Sequence, residues 1–126
     1  MKWIALVVGG VAGTIARYLL SGFVYHRFGG DFPSGTFVVN MLGCFLVSFF
    51  ATISADKFYW GLEGRLLLMV GFCGAFTTFS AFMLETVTLM RDGHSLKAFF
   101  NVTMSIVAGF LALQAGVWAG ELAAKV

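Results

Sequence analysis

Arg17, Asn40, Glu85, Asn101 and Ser105 each interrupt a long apolar run of this 126-residue chain. So does a run of small residues, Gly71-Phe72-Cys73-Gly74-Ala75-Phe76-Thr77-Thr78-Phe79-Ser80-Ala81-Phe82. Together they offer neutral hydrogen-bond donors, one cation, one carboxylate and a weakened stretch of backbone. That is chemistry for holding or passing an ion. Catalysis has no candidate: no Ser/His/carboxylate set, no metal-spaced cluster and no phosphate loop appears. The two cysteines, Cys44 and Cys73, lie inside apolar runs with no His or carboxylate spaced around them. They read as small buried apolar residues rather than metal ligands.

The elements that must position these groups follow from composition. The chain is 60% hydrophobic and 11% charged, with mean hydropathy +0.92. An ordinary soluble domain is about 25% charged. A water-soluble enzyme, a nucleic-acid binder and a disordered chain are excluded, and an integral membrane protein remains. A spanning helix needs about 20 apolar residues, so four fit with short loops. A barrel would alternate apolar and polar residues, which this chain does not. The apolar runs predict helices over about 3–25, 36–55, 66–90 and 98–120, in one membrane domain, 1–126. The start, Lys2 followed by Trp3 to Ala16, imitates a signal peptide, but Arg17 interrupts the run and no convincing cleavage site follows, so it reads as a retained helix. His26 to Gly35, with the only proline, is the first loop; Asp56 and Lys57 open the second, and Arg91 to Ser95 form a tight third.

Four spans put both termini on one side, together with Trp3, Trp60 and Trp118, as interfacial tryptophans require. Lys2, Lys57, Arg65 and Lys125 fall on that side; Arg27, Arg91 and Lys97 fall on the other, with Arg17 in the membrane half nearest them. The positive-inside rule needs an excess to fix orientation, and there is almost none. Two outcomes fit, a weakly biased single topology and a dual topology in which copies insert both ways and pair antiparallel.

Polar groups in hydrocarbon carry a cost, about 2.5–3.5 kcal/mol for an arginine at a helix centre. Arg17 either snorkels to the headgroups or stands at the mouth of an anion pathway. Asn40 either bonds a neighbouring helix or donates to an anion. In Gly71 to Phe82 two glycines, two threonines and a serine lower helix propensity. The run is either a small-residue packing face or a broken helix whose freed carbonyls need partners. Phe79 and Phe82 share a face if the following segment is helical, and Glu85 continues it. Asn101 and Ser105, with Thr103 nearby, could bond between helices. With Asn40 and Glu85 they suggest a polar track.

The chain resembles the Fluc (CrcB) family of fluoride channels. The similarity lies in Gly9-Gly10-Val11-Ala12-Gly13-Thr14-Ile15-Ala16-Arg17-Tyr18, in Pro33-Ser34-Gly35-Thr36-Phe37-Val38-Val39-Asn40, and in Gly71 to Glu85, where Gly-x-x-Thr-Thr-Phe-Ser-x-Phe is the specific signature. The resemblance implies an all-α membrane protein of four transmembrane helices per subunit, helix 3 broken at mid-membrane, in an antiparallel dual-topology homodimer. It further implies two fluoride pores and a central structural sodium ion. By position, Phe79 and Phe82 match the pore-lining phenylalanines, Asn40 the pore asparagine, and Arg17 the vestibule arginine. Gly74 and Thr77 match the positions whose backbone carbonyls hold sodium. Thr36, Glu85 and Ser105 match members of the polar track, and Ser80 adds a hydroxyl beside the phenylalanines. Ala75, Ala81 and Met83 stand where Gly, Thr and Ser are common, Cys44 at a frequent glycine, and Asn101 at a common tyrosine.

The expected function is a fluoride-selective channel that passively exports cytoplasmic fluoride across the inner (plasma) membrane. Its expected partners are fluoride, the lipid bilayer and a second copy of the chain, with no nucleic acid. Two other classes share the size: a small multidrug-type proton-coupled cation exporter and a non-transporting membrane subunit. The exporter wants a carboxylate in helix 1, which here carries Arg17 and no acid.

Overall fold

The computed structural model describes residues 1–56 and 60–125; Lys57, counted above on the terminal side, and Val126 lie outside the described residues. Five helical elements make four bundle segments. They are α1 (Lys2–Phe28), α2 (Ser34–Asp56), α3 (residues 62–76), α4 (Phe79–Arg91) and α5 (Ser95–Ala124). Lys2–Phe28, Ser34–Ala55, Leu62–Arg91 and Ser95–Ala124 are long and apolar enough to cross a membrane. The shortest has 22 residues, about 33 Å of helix at 1.5 Å per residue, against a hydrocarbon thickness of about 30 Å.

The helices outrun the apolar stretches at both ends because amphipathic residues continue them into the headgroup layer. α1 continues through His26 and Arg27 to Phe28, whose long side chains reach polar surroundings from within a helix. Positive-φ glycines then turn the chain, Gly29 (φ 26°) and Gly30 (φ 119°). Pro33, which has no N–H to lose, precedes the first turn of α2, and its carbonyl accepts from Phe37 N–H at 3.1 Å. At the far end of α2, Arg65 donates from Nε to Ser54 Oγ (2.6 Å) and from Nη2 to the Ser54 carbonyl (2.9 Å). A cation there meets the carbonyl end of the helix dipole. Between α4 and α5, His94 N–H donates to the Leu89 carbonyl (2.8 Å) and Gly93 N–H to the Met90 carbonyl (3.2 Å), with Gly93 at φ 81°. This is a Schellman turn, and it reverses the chain in very few residues.

The most extensive pairings are α2 with α5 and α1 with α3. Both rest on missing side chains. A Cβ on Gly13 of α1 would run into the Phe72 carbonyl of α3, and one on Gly116 of α5 into Ser48 and the Phe45 carbonyl of α2. Small residues let helices approach closely where lipid supplies no hydrophobic drive. The middle of α3, Leu66–Cys73, is π-helical, a widening often found near functional sites.

Few side chains are sealed inside. Val39 and Asn101 are the largest that are fully buried. Long apolar faces remain open, including Val70, Phe79, Leu84, Ile106 and Phe110. The chain exposes 8008 Å², where a folded soluble protein of its mass shows about 6,600 Å².

Candidate functional site

Between α3 and α4 the backbone leaves the helix for two residues. Thr77 (φ −83°, ψ 158°) and Thr78 (φ −149°, ψ 116°) are extended. β-branched side chains favour that conformation. In an uninterrupted helix the Thr78 N–H would donate to the Gly74 carbonyl. Here it donates to Asn40 Oδ1 at 2.8 Å, and Asn40 Nδ2 donates to the Thr78 carbonyl at 3.0 Å. The amide of one α2 side chain thus satisfies both backbone groups of Thr78. The Thr77 N–H and Oγ1 both turn back to the Cys73 carbonyl, at 3.1 and 2.9 Å. Helix α4 then restarts with Thr78 as its cap, Oγ1 accepting from Ala81 N–H at 3.2 Å. The carbonyls at the end of α3 have lost their usual i+4 donors.

A cavity of about 460 Å³ opens at this interruption, lined by Asn40, Gly74, Thr77, Phe79, Phe82 and Ser105 among others. A Cβ on Gly43 would collide with Thr77 Cγ2, so glycine there is what lets α2 come close enough for Asn40 to reach. The rings of Phe79 and Phe82 lie 6.0 Å apart, tilted by 47°, and Phe79 is 74% exposed. Asn40 Nδ2 carries a second hydrogen beyond the one given to Thr78.

Two further cavities are linked to the first only through shared lining residues. One of about 310 Å³ is lined by Arg17, Thr36, Thr78 and Glu85. It shares Thr78 with the first. The other, about 600 Å³, is lined by Thr36, Glu85, Asp31 and His94 and shares Thr36 and Glu85 with the second. Thr36 Oγ1 donates to Glu85 Oε1 at 2.7 Å. Glu85 Oε2 is buried with no partner among the described residues. Arg17 lines the same cavity but forms no ion pair among the described residues. At the loop end Lys97 Nζ lies 2.7 Å from Asp31 Oδ2, and His94 Nε2 lies 3.9 Å from the same oxygen. The hydrogen bond from Lys97, and the charge behind it, hold the Asp31 carboxyl below its ordinary value.

The sequence-predicted residues therefore fall into groups. Asn40, Phe79, Phe82, Ser105, Gly74 and Thr77 share one cavity. Arg17, Thr36 and Glu85 share the next. Ser80 is exposed on the first turn of α4 and lines none of the three. Asn101 is 1% exposed and donates to Thr86 Oγ1 at 2.9 Å, while Thr86 Oγ1 donates to the Phe82 carbonyl at 2.7 Å.

A family model described as CrcB-like protein, Camphor Resistance (CrcB), matches residues 4–117. The chain belongs to the CrcB-like family. Three relatives are named fluoride-specific ion channel FluC. That of Hydrogenovibrio crunogenus is 41% identical over 121 residues, covering 96% of this chain and 92% of the relative. That of Solidesulfovibrio magneticus is 45% identical over 117 residues, covering 93% and 94%. That of Chlorobaculum tepidum is 45% identical over 123 residues, covering 97% of each.

Two residues of this CrcB-like chain escaped the sequence reading. Thr78 reads there as a helix weakener and a signature position with no role of its own, yet it is the partner of Asn40 and the cap of α4. Its signal was a threonine ahead of an apolar helical run. Thr86 was passed over; it lies four residues after Phe82, the spacing at which a helical threonine bonds back to a carbonyl.

Proposed function

We propose that this protein is a fluoride-selective channel that lets cytoplasmic fluoride leave passively, built as an antiparallel homodimer in the inner membrane with two pores and a structural sodium ion. The observation that carries the reading is the cavity shared by Asn40, Phe79, Phe82 and Ser105, in a chain whose relatives are named for fluoride conduction.

The chemistry suits the ion. Fluoride is small and strongly hydrated, so a narrow path must replace its water with donors and positive dipoles. The second Nδ2 hydrogen of Asn40 and the Ser105 hydroxyl donate without full charge. Aromatic ring edges are the positive end of the ring quadrupole, so Phe79 and Phe82 can face an anion edge-on. A lysine or arginine in the path would trap the ion, and conduction needs escape as well as entry. Arg17 stands one cavity away, where it attracts the ion without holding it. Thr36 and Glu85 continue the polar lining toward the loop end.

The sodium and the dimer rest on separate observations. Asn40 takes the Thr78 N–H that would have bonded the Gly74 carbonyl, and Thr78 Oγ1 takes the Ala81 N–H that would have bonded the Thr77 carbonyl, which leaves both carbonyls available to a cation. Two copies would supply four hard oxygens, the ligand type sodium prefers, at an interruption placed at mid-membrane. The open apolar faces and the surface in excess of a folded protein's suit a second copy. The near-balance of loop charges suits its inverted orientation.

Purified protein in liposomes, read with a fluoride electrode, tests the function. Rapid fluoride efflux is expected, with no chloride efflux and no proton-coupled movement of a cationic drug. Efflux of the drug instead, or of neither, would overturn it.

A further inference from the structure

The cavity at the helix interruption holds more sulfur than an anion path uses. Met41 and Cys44 of α2 line it, and so do Met69 and Cys73 of α3. Both cysteines of the chain, and two of its six methionines, thus face one space of about 460 Å³. Both thiols are free. Met41 and Cys44 are one turn apart, and their tips converge on α5: a Cβ on Gly109 would stand 3.5 Å from Met41 Cε and 3.7 Å from Cys44 Sγ. Met69 and Cys73 are four residues apart on α3. Cys73 lies one turn before Thr77, and Thr77 packs against α2 at Gly43, next to Cys44. Sulfur side chains from two helices, α2 and α3, therefore border the same cavity.

Thiolates and thioethers are soft ligands that select soft cations such as Cu(I). We propose that this cavity is a binding site for a soft monovalent d10 cation, Cu(I) or Ag(I), held by the sulfurs of Cys44 and Cys73 with Met41 and Met69 completing the set. Binding breaks the S–H bond of each ligating thiol, forms a metal–sulfur bond and releases the proton to water. Metal and sulfur keep their oxidation states, so no oxidant or reductant is consumed. The site stands apart from the anion path in its chemistry but shares its walls, Asn40, Phe79 and Phe82. An occupant would therefore block fluoride. That consequence rests on the channel reading; the binding does not.

The probe is silver nitrate added to the purified protein in chloride-free buffer, followed by calorimetry and by counting the silver retained after desalting. We expect one tightly held Ag(I) per chain. Cys44→Ser and Cys73→Ser should each weaken binding at least tenfold, and the double variant should retain none. Met41→Leu and Met69→Leu conserve volume and leave both thiols in place; each should weaken binding severalfold. In liposomes, silver should stop fluoride efflux by the parent and leave any efflux by the double serine variant unchanged. Equal silver retention by parent and double variant would overturn the site, as would dependence on one cysteine alone or unaltered binding by both leucine variants. Silver binding without any fluoride efflux by the parent would instead remove the channel reading and leave the site standing.

Discussion

Asn40 holds the backbone of Thr78 through Oδ1 and Nδ2 and also lines the cavity, with a second Nδ2 hydrogen left to give. Asn40→Asp keeps the acceptor for the Thr78 N–H but removes both donors and adds a negative charge in low-dielectric surroundings. Phe82→Ile keeps bulk and apolarity but removes the quadrupole. Both variants should fold and elute as the parent does, and both should lose most fluoride efflux in the liposome assay. Parent-like efflux from both would leave these side chains as packing residues. At this scale the sequence was informative in kind but not in partner. Asn40 stood out because an amide in hydrocarbon must bond something, and what it bonds is the backbone of Thr78, between α3 and α4. Asn101 and Ser105 looked like a pair because they lie four apart on α5. In space Asn101 turns to Thr86 on α4 while Ser105 turns to the cavity. Spacing along one helix says which residues share a face. It does not say which neighbouring helix that face meets.

The interruption between α3 and α4 makes its own prediction at the level of elements. If the carbonyls released there hold sodium between two copies, exchange of sodium for N-methylglucamine should lower the melting temperature of the purified protein and slow its fluoride efflux. Readdition of sodium should restore both. Unchanged melting and efflux would mean that those carbonyls are satisfied otherwise. The loop end has a weaker link, the Asp31–Lys97 contact that ties the first loop to the start of α5. Asp31 titrates below its ordinary value of 3.8 when folded, so its stabilisation is present above that pH and is lost as pH falls through the lowered value. Melting curves of the parent and of Asp31→Asn should therefore differ slightly near neutral pH and converge as pH falls below the lowered value. The apolar runs made the long helices plain, because length and hydropathy alone decide a span. The π-helical turn at Leu66–Cys73 was not readable, since no local residue pattern separates it from an ordinary apolar helix. In Gly71 to Phe82 the two glycines stay helical, and the extended residues are the β-branched Thr77 and Thr78.

Seen whole, the described residues form a set of helices with more large apolar side chains exposed than buried. In the antiparallel reading both orientations should insert in comparable numbers. Tags on either terminus, probed from each side of the membrane, should then label two populations. Three lysines added to the second loop should bias insertion and abolish efflux unless an oppositely biased copy is co-expressed. A single orientation of the unmodified protein would contradict dual topology. The order of the tight pairings has a further consequence. α1 packs chiefly on α3 and α2 chiefly on α5, so each pair spans an intervening bundle segment, α2 in the first case and α3 with α4 in the second. A ribosome delivers these segments in sequence, and α1 and α2 reach the bilayer before the glycine-lined partner of either exists. A nascent chain halted after Asp56 would hold a vacant notch at Gly13 of α1 and, on α2, a Ser48 face with no Gly116 to pack against. Such a fragment should be a preferred target of membrane quality-control proteases. It should survive only when the missing half, residues 57–126, is supplied as a separate polypeptide, so the protein should tolerate being split in two at its second loop.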